Sequence, residues 1–208
     1  IVLDSPRELK LCEEEAAKLN KVAKVMFRIK PFMSELETKS DFVPDLDIRE
    51  MTQLIKYGVP TSEVLDMGPL AIELPHIDPV GVHVHMGRHS KKMEVWQSWV
   101  RHCVLLTKRL SGLMEGWAPR EIDFGGGFPS FPDRDTDVTV QGYEGPSLEE
   151  YAKGITDSFR AAMHEVSLDP TGITIEVEPG RGLHCDTGVH LTTVRNIKEE
   201  TENRPRRW

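Results

Sequence analysis

Strand and helix patterns alternate along this 208-residue chain from end to end, and that alternation constrains the fold more than any other feature. The first three residues form a short apolar run. Ser5, Pro6 and Glu8 then supply an N-cap, a proline at the first helical position and an acid three beyond the cap, the pattern that starts a helix. Leu9, Cys12, Ala16 and Leu19 follow at helical spacing. Residues 22–29 read as a buried strand closed by Pro31, and 34–45 as a polar loop. Helices are expected over 47–57 and 62–74, with Gly58 as a helix C-cap of positive φ. Residues 80–85 are the next strand, and 91–113 a long amphipathic helix with Met93, Trp96, Val100, Cys103 and Val104 turned inward. A strand over 121–124 opens onto Gly125, Gly126 and Gly127, and 128–146 is a long irregular loop. Ser147 and Glu150 cap another helix, whose buried stripe is Tyr151, Ile155, Phe159 and Met163. Strands over 173–178 and 189–195 flank a Pro-Gly-Arg-Gly turn at 179–182.

Strands alternating with helices pair in parallel through right-handed crossovers. Two architectures satisfy this: an open doubly wound sheet and a (β/α)8 barrel. Asp4, Arg28, His85, Asp123 with the three glycines, and Glu178 all fall at the C-terminal ends of strands, where a barrel builds its active site. Chemistry spread over five strand ends favours the barrel over a single crevice. A complete barrel needs eight strands and typically about 250 residues. The expected fold is therefore α/β, a TIM-type barrel represented by about five of its strands.

Charge excludes several functions. With 26 Lys+Arg against 34 Asp+Glu the net charge is −8, which opposes nucleic-acid binding because phosphate neutralisation needs a clustered basic surface. The basic run Arg204, Arg206 and Arg207 reads as a solvated tail. No apolar run approaches the roughly 18 residues that span a bilayer, and no signal-peptide pattern is present. Cys12, Cys103 and Cys185 are odd in number and widely spaced, which excludes a disulfide scaffold and favours a reducing, cytoplasmic compartment.

Four places carry chemistry. Gly125, Gly126 and Gly127 either form a nest of outward backbone N–H groups suited to phosphate or simply make a tight strand-to-loop turn. Glu178 and Arg181 flank Pro179 and Gly180. Glu178 at a barrel mouth needs a cationic partner, such as a protonated ring nitrogen, while Arg181 suits a carboxylate or phosphate. The bland alternative is an ordinary ion pair across the turn. His83 and His85 point the same way along one strand and could bind a metal, act as hydrogen-bonded core residues, or, for His85, stack on a flat cofactor. Arg28 ends an apolar strand and could pair with Asp4 or Glu178. The cysteines and Trp96 and Trp99 read as packing residues.

Together these motifs resemble the fold-type III pyridoxal-phosphate decarboxylases, the alanine-racemase-like group containing the ornithine, lysine, arginine and diaminopimelate enzymes. The matching stretches are Val2-Leu3-Asp4-Ser5 with Glu8-Leu9, Phe27-Arg28-Ile29-Lys30-Pro31, Lys56-Tyr57-Gly58 and Gly81-Val82-His83-Val84-His85-Met86-Gly87. They continue with Ile122-Asp123-Phe124-Gly125-Gly126-Gly127-Phe128-Pro129, Ser147-Leu148-Glu149-Glu150-Tyr151 and Glu178-Pro179-Gly180-Arg181, all in the family's order. The resemblance implies pyridoxal 5'-phosphate as cofactor and no metal. It implies catalytic roles for His85, stacked on the pyridine face, and Glu178, on the pyridine nitrogen. It puts the phosphate on Gly125, Gly126, Gly127 and Arg181, adds Gly180 to the cofactor-binding residues, lines the site with Arg28, and lets Arg181 reach a substrate carboxylate. Related alanine racemases place an arginine where Glu178 stands, so the glutamate points to decarboxylation over racemisation, and the resemblance implies a basic or diamino acid as substrate. A homodimer with active sites at the subunit interface is implied too.

Four departures temper the match. Arg88, followed by His89 and Ser90, replaces a small hydroxyl residue, and Lys30 stands where the family often has Asn. The family's Schiff-base lysine and its C-terminal β-domain match nothing in the chain. The expectation is that residues 1–195 form a barrel segment from about the fourth strand to the eighth, and 196–208 an exit strand or linker. Two other readings stand beside the decarboxylase. One is an inactive decarboxylase-like regulator; the other is a metal-dependent barrel hydrolase using His83 and His85.

Overall fold

The sheet strands of the computed structural model pair in parallel among the described residues, and neighbours in the sheet are nearly neighbours in sequence. The structure describes residues 1–30, 37, 39, 45–85, 91–128, 146–184, 188 and 191–197, with the side chains of Arg181 and Gly182 excepted. The elements run β1 (Val2–Leu3), α1 (Pro6–Lys18), β2 (Ala23–Lys30), α2 (Ile48–Leu54), β3 (Val59–Pro60) and α3 (Thr61–Glu73). They continue with β4 (Ile77–His83), α4 (Met93–Leu113), β5 (Glu121–Asp123), α5 (Leu148–Glu165), β6 (Thr174–Glu176) and α6 (Gly180–His184). The sheet order is β1-β2-β4-β5-β6, with the two-residue β3 docked on the end of β2. A doubly wound sheet reverses its strand order at a switch point. This order never reverses, which is the progression of a barrel wall.

Local signals set the helices. Ser5 Oγ accepts from the Glu8 N–H at 3.3 Å, while the Glu8 carboxylate accepts from the Asp4 N–H at 2.5 Å, one residue earlier than a strict capping box requires. Asp47 with Glu50 and Ser147 with Glu150 form complete capping boxes. Removing the second by Ser147→Ala is expected to cost about 1 kcal/mol, read from the denaturation midpoint of the full-length protein.

Strand alternation sorts β2 into two faces. Val25, Phe27 and Ile29 are buried, whereas Arg28 and Lys30 are only partly so. The core beneath includes Trp96, Trp99, Phe124 and Tyr151, all at most 1% exposed, together with Phe128 at 4%. Trp96 stacks on Phe128 with centroids 4.6 Å apart, and Tyr151 meets Trp96 edge-on at 5.6 Å. The tryptophans and Cys103 are packing residues, as expected. Burial pushes the Cys103 thiol well above its ordinary value, so it is no nucleophile.

Several expectations change. The helix over 47–57 is shorter, ending at Leu54, so Gly58 caps nothing. It does have positive φ, +85°, for another reason: a Cβ there would lie 2.8 Å from the Ile29 carbonyl oxygen and the Lys30 nitrogen. Its N–H donates to Asp4 Oδ1 at 2.6 Å. Gly58→Ala is expected to destabilise the full-length protein by roughly 1–3 kcal/mol through this strain, measured by equilibrium denaturation. β3 was not foreseen, because two residues ending in proline carry no strand pattern. The strand expected over 189–195 is not formed by the described residues 191–197, and Leu191 and Val194 are 92% and 74% exposed. Its alternation breaks at Thr193-Val194, and no neighbouring edge among the described residues receives it. The polar loop over 34–45 and the loop over 128–146 lie mostly outside the described residues, as do Cys185 and the 204–207 basic run.

Candidate active site

Sheet register assembles the site. Arg28 on β2 lies beside His83 on β4, His83 beside Asp123 on β5, and Asp123 beside Glu176 on β6. Residues in register on parallel strands project to the same face. The result is a polar row across four strand ends. Two residues further along, the same alternation brings Lys30, His85, Gly125 and Glu178 into a second layer. The Glu178 N–H donates to the Gly125 carbonyl at 2.8 Å, extending the β5–β6 pairing to this level.

Two expected residues meet directly. His85 Nε2 lies 3.9 Å from Glu178 Oε2, and His83 Nε2 lies 3.6 Å from the same oxygen. The two imidazoles tilt at 43° with centroids 6.4 Å apart. His83 is buried, while the side chains of His85 and Glu178 are 27% and 48% exposed at the mouth. Burial lowers the His85 pKa, opposed by the Glu178 charge and assisted by Arg28, which favours a neutral imidazole. Burial raises the Asp123 carboxyl, although its Oδ1 accepts the Gly125 N–H at 2.7 Å.

The glycines are required by the backbone itself. Gly125 and Gly127 have φ of +68° and +98°. A Cβ on Gly125 would sit 2.3 Å from the Val84 carbonyl oxygen; one on Gly126 would sit 2.4 Å from that of Glu178 and 3.2 Å from His85 Nε2. The turn is tight, and it leaves peptide groups in the space beside His85 and Glu178 that side chains would otherwise fill.

Arg28 pairs with Asp4, Nε to Oδ1 at 3.7 Å, and its guanidinium lies 4.8 Å over the Tyr57 ring. It lines a small cavity together with Tyr57 and His85. Lys30 turns away, its Nζ donating to the Gln53 carbonyl at 2.9 Å. Gly180 opens α6 and its N–H donates to the Glu178 carbonyl at 2.8 Å. The side chain of Arg181 and residues 86–90, including Arg88, lie outside the described residues.

Two members of the polar cluster had no role assigned from sequence. Asp123 was noted only as a strand-end residue, and His83 only as a metal ligand or core histidine. The available signal was alternation: each stands two residues before a residue of the second layer. One ligand atom from each of His83, Asp123 and Glu178 lies within 4.8 Å of the others, a spacing a divalent ion could also bridge. His76, by contrast, pairs with Glu13 at 2.8 Å ahead of β4, at the opposite end of the sheet.

An unreversed parallel sheet with polar residues gathered at its carboxyl ends defines a barrel-type α/β protein with a strand-end site. Residues 1–184 match the family model described as the pyridoxal-binding domain of pyridoxal-dependent decarboxylases, and the chain belongs to that family. It is similar to diaminopimelate decarboxylase from Pseudomonas aeruginosa, 26% identical over 196 residues, which cover 94% of this chain and 41% of that protein. Its fold matches crystalline diaminopimelate decarboxylase from M. jannaschii with a TM-score of 0.73 at 24% identity, covering 95% of this chain and 42% of that one. The Helicobacter pylori enzyme complexed with L-lysine matches with a TM-score of 0.63 at 26% identity, covering 87% and 39%. The chain thus spans about four-tenths of the length of the relatives it matches. Family membership brings pyridoxal 5'-phosphate as the cofactor. The residues present fit it: a glycine turn packed backbone to backbone against His85 and Glu178, a half-exposed carboxylate, and an imidazole whose burial favours its neutral form.

Proposed function

We propose that the full-length protein containing this chain is a pyridoxal-phosphate-dependent carboxy-lyase acting on a basic or diamino acid. The observation that carries the reading is the convergence of Glu178, His85 and the Gly125–Gly126 turn at one strand-end site. Bound pyridoxal phosphate supplies an electron sink for the pair left behind when CO₂ departs. Glu178 holds the proton on the ring nitrogen that makes the sink effective. His85, a flat and largely neutral imidazole, packs on the ring face. Gly125, Gly126, Gly127 and Gly180 line the phosphate site with Arg181, the N–H groups of Gly126 and Gly127 serving as its backbone donors, since those of Gly125 and Gly180 already bond Asp123 and the Glu178 carbonyl. Arg181 also reaches the substrate carboxylate, and Arg28, braced by Asp4 and Tyr57, lines the pocket.

The substrate class follows from the relatives, one of which binds L-lysine in its crystal. We further assign the active form to a homodimer and its location to the cytoplasm. Among the described residues no helix is long and apolar enough to cross a membrane. The barrel segment over 1–195 and the exit segment over 196–208 belong to the same reading.

The test is CO₂ release from diaminopimelate, lysine, ornithine and arginine by the full-length protein supplied with pyridoxal phosphate. Turnover of one of them, lost on removing the cofactor, is the expected result. Cofactor binding without CO₂ release from any amino acid would favour the regulator reading. Stoichiometric zinc with no cofactor binding would favour the hydrolase.

A further inference from the structure

His83 is the most deeply buried ionisable side chain of the strand-end cluster, at 3% exposure against 5% for Asp123. It does not behave as a core histidine stapled in place by hydrogen bonds. Its Nδ1 is buried and has no hydrogen-bond partner among the described residues. Arg28 approaches in register from β2 and Asp123 from β5, and Glu178 Oε2 lies 3.6 Å from Nε2. With no acceptor at Nδ1 among the described residues, the tautomer that carries a proton on Nε2, the nitrogen facing the carboxylate, is the one the geometry favours.

Glu178 needs such a partner. It stands beyond the last residue of β6, its side chain is half exposed, and a free glutamate samples many rotamers. The neighbouring His85 approaches the same oxygen from the exposed side, at 3.9 Å. The Asp123 carboxylate lies close behind, with Oδ1 already taken by the Gly125 N–H. Among the described residues, His83 is therefore the buried donor that can hold the Glu178 carboxylate from beneath without itself reaching the substrate.

We propose that His83 is a positioning residue: its Nε2–H fixes the Glu178 carboxylate in the orientation that receives the cofactor's ring nitrogen. The assignment rests on the pyridoxal-phosphate reading of the site. It separates two roles on one strand. His85 contacts the cofactor, and His83, two residues earlier, acts only through Glu178.

The test compares His83→Leu, which removes the donor, with His83→Gln, whose side-chain amide nitrogen has about the reach of Nε2. Both are made in the full-length protein and titrated with pyridoxal phosphate. The Leu variant is expected to bind the cofactor roughly ten- to a hundredfold more weakly, the size of one lost hydrogen bond to a charged group. The Gln variant should stay within about threefold of the parent, a rescue that a volume effect alone would not give. A second readout leaves His83 intact. In ¹⁵N-histidine-labelled, cofactor-free protein, the His83 Nε2 resonance is expected to move on Glu178→Gln.

Equal binding by the Leu variant, equal loss in both variants, or a His83 resonance indifferent to Glu178→Gln would each overturn the proposal. If His83→Leu does not fold, the labelled comparison decides. Failure of the parent protein to bind pyridoxal phosphate would instead remove the underlying functional reading.

Discussion

Substituting alanine for Gly81 is expected to cost the full-length protein more than about 4 kcal/mol, at the extreme of what single substitutions do. Gly81 is in the middle of β4, opposite Glu121 at the start of β5. A Cβ built there would lie 1.7 Å from the Glu121 carbonyl oxygen and 2.7 Å from its carbon. Both are backbone atoms, so no side chain can rotate out of the way. One strand must move by more than an ångström, and its hydrogen bonds to the other must break or stretch. That shift would also part His83 from Asp123, which depend on the same register. Soluble yield and the denaturation midpoint measure the loss. Gly112→Ala is the control, since a Cβ there meets nothing within 4 Å near the end of α4. It should be neutral or stabilise by about 0.5–1 kcal/mol. A Gly81→Ala protein melting within a few degrees of the parent would mean that β4 and β5 are not packed at this distance.

How much of this was legible beforehand depends on whether the determinant was local. Helix starts at Ser5, Asp47 and Ser147 lie within a few residues of their effects, and two of the three capping boxes are complete. The choice between barrel and open sheet was not local. Strand spacing alone satisfies both, and the unreversed strand order decides it. The site shows the same division. His85 and Glu178 are recognisable because each ends a strand next to a turn motif. The pairing of His83 with Asp123 requires the β4–β5 register, which joins positions 40 residues apart and which neither strand's own pattern fixes. The bond from the Gly58 N–H to Asp4 spans 54 residues, so the glycine was read as a nearby helix cap rather than as a seat for the end of β2. Over 189–195 the sequence offered β-branched residues and a partial alternation. A strand needs a partner edge as well, and the described residues there have none.

Glu178→Gln in the full-length protein should retain its fold and lower decarboxylation by roughly ten- to a thousandfold. The fold is spared because the side chain is half exposed and the substitution keeps its shape. The activity is not, because the amide carries no charge. An opposite charge within a few ångströms changes a partner's pKa by about 1–3 units, and the loss of protonated ring nitrogen at neutral pH scales accordingly. His83 cannot compensate. It faces Glu178 from beneath and carries no negative charge to offer. Glu178→Asp makes the complementary variant: it keeps the charge but retracts it by one methylene, so it should fall between the parent and Gln in rate while binding the cofactor more weakly than either. The ordering of the three proteins therefore separates charge from reach. Rates for Glu178→Gln within about threefold of the parent would show that the carboxylate does not govern the ring nitrogen, and the assignment of Glu178 as a catalytic residue would fall with it.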